Sequence, residues 1–482
     1  MKFRSILAMF LLLALMTTTI ACKKNKTTEE ETTGYDFNLD TSDGYDYGKL
    51  DCEGGTFTLL QCDEGRWNMK TALVPAELTG DEIADEVVRR NRKIETMYNV
   101  SLACLNRDIY ETGDFIRTQC MNGDTTVDAA YVIGSSAPTL LGEGILNDIA
   151  STPNIEIYEP WWNQRIREAS QFGGSSTLYF AQSDISVTAF ELTWSVAVNL
   201  DRIATLEMEN PYELVKSGEW TIDKMLEMAR EGMMPNSDGS YTYTEDSSCI
   251  LGFVTYNNFA TAGINGANCF MTQKDVVGNP AFTGQGEKFV DVVEKWARAF
   301  HTEGVATEAQ QDGFHYESVF ASERALFAGV EVKAFASYRG TYMNYGILPV
   351  PKYTADQESY YSNVNYLAPV LVIPETNSAA EKTGRILDTM AYMSYKELLP
   401  VYYNNNLCYK ALGNAEAVEM LDIVRDTRCF ETGLLFGWTT EYYDDIREVF
   451  IGFTSGINVQ SVIDEHRTAV LANLDAYIAE LQ

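Results

Sequence analysis

The stretch from Thr56 to Gly134 constrains the fold more than any other. TFTLLQC (56–62) alternates and is rich in β-formers, which predicts a strand. DEIADEVVRRNRKIETMYN (81–99) sets Ile83, Val87 and Ile94 at helical spacing, with acids early and bases later, as a helix dipole prefers. NVSLACL (99–105) predicts a second strand, DFIRTQCMNG (114–123) a helix closed by glycine, and VDAAYVIG (127–134) a third strand. The order β-α-β-α-β predicts a parallel sheet with right-handed crossovers. Ligands of such sheets bind beyond the carboxyl ends of the strands, where the loop SSAPTLLGEG follows the third strand.

A second unit begins near 185. ISVTAFELTWSVAVNLDRI (185–203) predicts one long β segment. PYELVKSGEWTIDKMLEMAREGM (211–233) predicts a loop, then a helix capped by Thr221 with Asp223 in its first turn. CILGFVTYNNFATAGING (249–266) predicts a strand followed by a glycine-rich turn. GEKFVDVVEKWARAFHTEG (286–304) predicts an amphipathic helix. YGILPVPKY and YLAPVLVIPET predict proline-ended strands. SAAEKTGRILDTMAYMSYKELLPVYYNNN predicts a helix pair and 460–481 the last helix; no internal repeat is visible.

The chain opens MKFRSILAMFLLLALMTTTIAC. Lys2 and Arg4 precede eleven apolar residues, Ile6 to Met16, too few to span a bilayer. This predicts an export signal over 1–21. Cys22 directly after Ala21 resembles the lipobox of bacterial lipoproteins, in which that thiol is lipidated. Thr19 stands where leucine is usual, and cleavage near Ala21 without lipidation is the alternative. Residues 22–50 are polar, acidic and Gly/Thr-rich, which predicts a flexible tether. The 435 residues after Tyr47 suffice for two lobes with cores.

Removing Lys2 and Arg4 with the leader takes the formal net charge from −33 to −35. That charge disfavours nucleic acid and anionic lipid heads as partners. Setting Cys22 aside leaves eight cysteines, an even number outside the cytoplasm. Proximity predicts disulfides Cys52–Cys62, Cys104–Cys120, Cys249–Cys269 and Cys408–Cys429, each contributing about 2–3 kcal/mol; eight free thiols are the alternative. No CxxC is present and the three histidines are scattered, so no metal or cofactor is expected.

Several stretches in order resemble the extracellular solute-binding proteins of bacterial ABC importers, the sugar-binding class that includes maltose-binding protein. VDAAYVIGSSAPTLLGEGILNDIA resembles the rim of that family's first lobe. AQSDISVTAFELTWSVAVNLDRI resembles the first hinge crossing, and NPYELVKSGEWTIDKMLEMAR a connector common in the class. ERALFAGVEVKAF with NYGILPVPKY resembles the return crossing, and APVLVIPETNSAAEKTGRILDTMAYMS the strand and helix that rejoin the first lobe. The resemblance covers roughly 50–482. It implies an α/β, two-lobed periplasmic-binding-protein-like fold of type II, with three crossings, a hinge and a ligand cleft at the lobe interface. It implies a first lobe of 51–183 and 346–403, and a second of 184–345 and 404–482. It also implies a carbohydrate ligand, most readily an oligosaccharide, a permease and ATPase as partners, a monomer, and a membrane contact through the lipid anchor only.

Sugars are gripped by aromatic faces and planar polar groups, but with 28 tyrosines residue type alone selects nothing. The family's order selects Ser135 and Ser136 in the first-lobe loop, and Asp184 and Glu191 at the first crossing. It also selects Tyr256, Asn257, Asn258 and Phe259 after a second-lobe strand, Glu331 near the return crossing, and Trp438 and Tyr443 before the final helices. Trp67 follows the first strand, in EGRWN, and is a further candidate to reach the cleft. Trp161 and Trp162, in EPWWNQ, read as a structural clamp. Walker A, GxSxG and HExxH motifs are absent, and His301, His315 and His466 lie near no nucleophile motif, so the reading is a receptor and not an enzyme. A surface glycan-binding lipoprotein and a peptide or cationic-solute receptor are the rival readings.

Overall fold

The computed structural model describes residues 44–62, 72–311, 314–451 and 458–481. The leader, Cys22 and Trp67 lie outside the described residues. Strands β1 (Gly55–Cys62), β2 (Val100–Arg107) and β3 (Ala129–Val132) come first. Strands β4 (Trp194–Asn199), β5 (Leu251–Thr255), β6 (Ala306–Glu308), β7 (Ala325–Glu331) and β8 (Tyr345–Leu348) follow, and then β9 (Val370–Val372). They build two sheets. The first has the order β9-β3-β1-β2, with β1 parallel to both neighbours and β9 antiparallel. The second has the order β8-β4-β7-β5-β6, with β7 parallel to β5 and antiparallel to β4.

Local chemistry sets the first lobe. Helix α1 (Glu82–Tyr98) starts where the Asp81 carboxylate accepts from the amides of Ile83 and Ala84, and stops at Asn99, which adopts φ 48°. Its buried face includes Ile83, Val87 and Ile94. Helix α2 (Thr112–Met121) returns the chain to β3. The first lobe thus follows the β-α-β-α-β order.

Three expectations fail in the second lobe. The segment 185–203 is not one strand: a short helix, Thr188–Glu191, precedes β4, and the Asn199 side chain caps a second, Leu200–Thr205. Residues Pro211–Ser217 form a helix rather than a loop. The glycine-rich stretch after β5 is helix α3 (Phe259–Gly266), buried throughout. Its glycines provide close approach, not a turn. A Cβ at Gly263 would meet Phe450 at 2.6 Å and one at Gly266 would meet Val350 at 2.5 Å.

Three extended segments lie side by side between the sheets. Thr193 pairs with Val364, the Asn365 amide donates to Leu192, and Ser362–Asn363 runs parallel to Arg428–Cys429. The boundary expected between 345 and 346 falls inside β8, which pairs with β4, and that between 403 and 404 falls inside a helical stretch. Helix α4 (Ala380–Met393) continues through wide π-helical turns, Ser394–Leu398 and Val401–Leu412, past Pro400. The chain ends in helices α5 (Ala415–Asp426), α6 (Thr440–Phe450) and α7 (Val459–Glu480).

The disulfide expectation is corrected: Cys52, Cys62, Cys104, Cys120, Cys249, Cys269, Cys408 and Cys429 are all free thiols. The first pair shows why closeness in sequence misleads. Cys52 precedes the eight-residue β1 and Cys62 ends it. At about 3.3 Å per residue the strand holds them far beyond the roughly 7 Å Cα separation a bridge tolerates. Cys249 instead donates to the Thr242 carbonyl at 2.8 Å. Among the described residues no helix is long and apolar enough to cross a membrane.

Candidate ligand cleft between the lobes

Strand order brings the cleft residues together. β5 and β7 are parallel neighbours, so Tyr256, just beyond β5, and Glu331, the last residue of β7, share one edge. β4 runs the other way and begins there, with Trp194 opposite Glu331. The Tyr256 ring lies 5.1 Å from that of Tyr316, nearly parallel, and 5.2 Å from Trp194. The second crossing adds Asn365, whose amide donates to Glu331 Oε1 at 2.7 Å and to the Tyr256 hydroxyl at 3.2 Å. The Tyr256 hydroxyl donates to the same oxygen at 3.4 Å. Lys333 reaches the other oxygen, Oε2, at 3.0 Å, with side-chain exposures of 17% for the lysine and 2% for the glutamate.

This is a buried charged cluster. Burial pulls the Lys333 pKa down, but Glu331, Glu317 and Glu191 around it more than offset that, so the ammonium is held charged. Burial pushes the Glu317 carboxyl up, with Lys333 opposing. Burial also drives the Tyr256 and Tyr316 hydroxyls well above the usual phenol range. Glu191, buried on the first crossing, faces Lys333 and Tyr402.

From the first lobe, the loop after β3 carries Ser135, exposed, and Ser136, partly buried. Gly134 before them must be glycine, because a Cβ there would lie 2.2 Å from the Tyr366 carbonyl. Tyr366 meets Tyr443 edge to face at 5.5 Å, and the Arg447 guanidinium lies 5.6 Å from the Tyr443 ring centre. A Cβ at Gly437 would lie 2.8 Å from Pro138, so the second lobe touches the first-lobe rim here.

The other expected residues fall elsewhere or stand alone. Asn257 and Asn258 follow Tyr256, the first partly buried and the second buried. Phe259 is a core residue, fully buried against Trp194, Phe253 and Trp296. Trp438 is packed into an aromatic cluster with Phe436, Phe172 and Tyr477, at ring distances of 4.7, 5.4 and 4.9 Å. Asp184 lines a separate cavity that shares no residue with the Glu331 cluster. Trp161 and Trp162 both donate their indole N–H to Asp388 Oδ1, at 3.1 and 2.8 Å. Sequence reasoning missed Tyr316, Glu317, Lys333, Asn365, Tyr366 and Arg447. Lys333 lay two residues from Glu331, and Asn365 directly preceded the run YLAPVLVIPET, but neither position carries a motif. It also missed an exposed surface group, Asp445, Glu465 and His466, in which His466 meets Asp445 at 2.7 Å.

No protein-family model and no curated protein matches the sequence. The architecture does match solved structures. An ABC substrate-binding protein from Listeria monocytogenes in complex with cycloalternan gives a TM-score of 0.56 at 11% identity, covering 88% of this chain and 99% of that one. The GacH receptor of Streptomyces glaucescens, solved unliganded and with acarbose, gives 0.54 at 12% identity over 88% and 97%. The Thermus thermophilus maltotriose-binding protein, with maltotriose, gives 0.53 at 12% identity over 87% and 100%. The fold is that of the two-lobed ABC-importer substrate-binding proteins. The α/β, two-lobed expectation therefore holds across nearly the whole chain.

Proposed function

We propose that the chain is the substrate-binding receptor of an ABC importer, capturing an extracellular carbohydrate, most readily an oligosaccharide, in the cleft around Tyr256 and Glu331. One observation carries this reading. Stacked Tyr256 and Tyr316 lie beside planar hydrogen-bonding groups on Glu331 and Asn365, at the edge of the second sheet that adjoins the crossings. Apolar sugar faces and equatorial hydroxyls call for that combination. Support comes from the fold neighbours crystallised with cycloalternan, acarbose and maltotriose. Ser135, Ser136, Asn257 and Tyr443 are assigned to the rim of the same cleft. Delivery would be to a membrane permease and its ATPase, with Cys22 as the lipid anchor on the outer face of the membrane. The lobes are read around the two sheets, with β8 in the second lobe and the return crossing at 362–365.

A receptor for an amino-bearing solute is the second reading. Three buried or largely buried carboxylates, Glu191, Glu317 and Glu331, surround the single Lys333. A thermal-shift screen of the chain from Gly34 onward against mono- and oligosaccharides, amino sugars, peptides and polyamines separates the two. A ligand at 100 times its dissociation constant stabilises by about 2.7 kcal/mol. Stabilisation by one neutral sugar class supports the first reading. Stabilisation by polyamines or peptides alone replaces it with the second. A panel with no shift removes the receptor claim for these ligand classes.

A further inference from the structure

A cavity of about 1090 Å³ opens at the hinge, large enough for a small organic solute. Its wall comes from the segment around Trp161, the first crossing from Gln182 to Phe190, the π-helical turns around Tyr403, helix α5 and Arg428. Its charges do not cancel. Arg425 is taken by Asp422 at 3.2 Å and Asp426 at 2.9 Å. In all, four cations, Arg165, Lys396, Arg425 and Arg428, line the cavity against three carboxylates, Asp184, Asp422 and Asp426, an excess of one. The imbalance is positive, in a chain whose formal net charge is −33.

Arg428 and Asp184 are both recessed into this wall. Arg428 is held in place: its Nε donates to the Arg425 carbonyl at 3.1 Å, and its guanidinium carbon lies 5.5 Å from the Phe190 ring centre. Its two terminal nitrogens then have no acceptor among the described residues. Asp184 feels the Arg428 charge, yet among the described residues its carboxylate accepts no hydrogen bond and forms no ion pair. Two opposite charges that face one cavity without closing on each other offer a donor fork and an acceptor that one ligand can bridge.

We propose that the hinge cavity binds a small carboxylate-bearing solute that also carries hydrogen-bond donors, its carboxylate on Arg428 and its donors on Asp184. Arg165 and Lys396, both exposed, stand at the cavity wall and add to the attraction for an anion. The donors are hydroxyls if the solute is a sugar acid and an ammonium if it is an amino acid. This site is distinct from the Glu331 cluster and does not depend on what that cluster binds.

Calorimetric titration of the full chain tests it, with sodium glucuronate, sodium glutamate, glucose and sodium chloride at matched ionic strength. Saturable binding of glucuronate or glutamate, without binding of glucose or chloride at this site, is expected. Arg428→Met should weaken that binding tenfold or more, and Asp184→Asn should weaken it severalfold. Asp184→Asn removes only a charge and carries the test if Arg428→Met fails to fold. Binding of glucuronate alone assigns a sugar acid, and binding of glutamate alone an amino acid. No binding of either carboxylate, or equal binding in both variants, overturns the proposal.

Discussion

In the cluster at the edge of the second sheet, Glu331 has an amide, a hydroxyl and an ammonium on its two oxygens. In the hinge cavity, Asp184 has none of these and faces Arg428 across space. Both carboxylates are recessed near the crossings. The difference is in who supplies the partners. Glu331 is served by three chain segments that meet at one sheet edge, so its charge is built into the fold. Asp184 has no hydrogen bond or ion pair from the described residues, so its carboxylate is left to whatever occupies the cavity. A satisfied buried charge holds its neighbours in a fixed arrangement, and one that faces a cavity without a protein partner is open to a ligand.

The comparison is broken most strongly by Glu331→Ala. It removes the ion-pair partner of Lys333 and the acceptor of the Asn365 side-chain amide and the Tyr256 hydroxyl, and a loss of about 3–5 kcal/mol is expected in denaturant unfolding. A loss below about 1 kcal/mol would mean the cluster is as solvent-relaxed as an exposed pair. Trp438→Ala comes next, with an expected loss of about 3 kcal/mol from the cluster that packs it on Phe172. It should also expand the protein in small-angle scattering, and unchanged scattering would show that this contact does not hold the lobes together.

Asp184→Asn has the opposite sign and depends on pH. Burial pushes the Asp184 carboxyl up to about 7 against the pull of Arg428, from an ordinary value of 3.8. A carboxyl raised in the folded state favours folding while protonated. Its cost appears as pH rises past the unfolded value and is complete above about 7. The substitution should therefore raise stability by about 1–2 kcal/mol at pH 8 and leave it unchanged at pH 4. A stabilisation equal at both pH values would point to packing rather than charge. The smallest effect is expected from dithiothreitol, which should leave the melting temperature where it is because the described cysteines are free thiols. A drop of several degrees would restore the disulfides.

Much of the architecture was legible. The apolar face of α1 and the β-forming run of β1 are local signals, and local rules read them correctly. The misread stretches are those where packing overrides local signals. FATAGING looks like a turn until Phe450 and Val350 are seen pressing on Gly263 and Gly266. The cysteine pairing failed for the same reason, since spacing along the chain ignores an extended strand between two residues. The cleft was legible in part. Tyr256 and Glu331 were found through family order, and they do meet. Phe259 and Trp438 came from the same order, yet the fold spends them on packing.

The sequence by itself determined the β-α-β-α-β order of the first lobe and the acidic charge, because these depend on neighbours along the chain. Only the tertiary structure decided that Thr193, Val364 and Cys429 lie side by side, that Asn365 bridges Tyr256 and Glu331, and that Asp184 and Arg428 share a cavity. Those contacts join residues from 34 to more than 200 positions apart. No local pattern encodes them, since a hydrogen bond or an unpaired charge is set by where two sheets and a hinge place the groups in space.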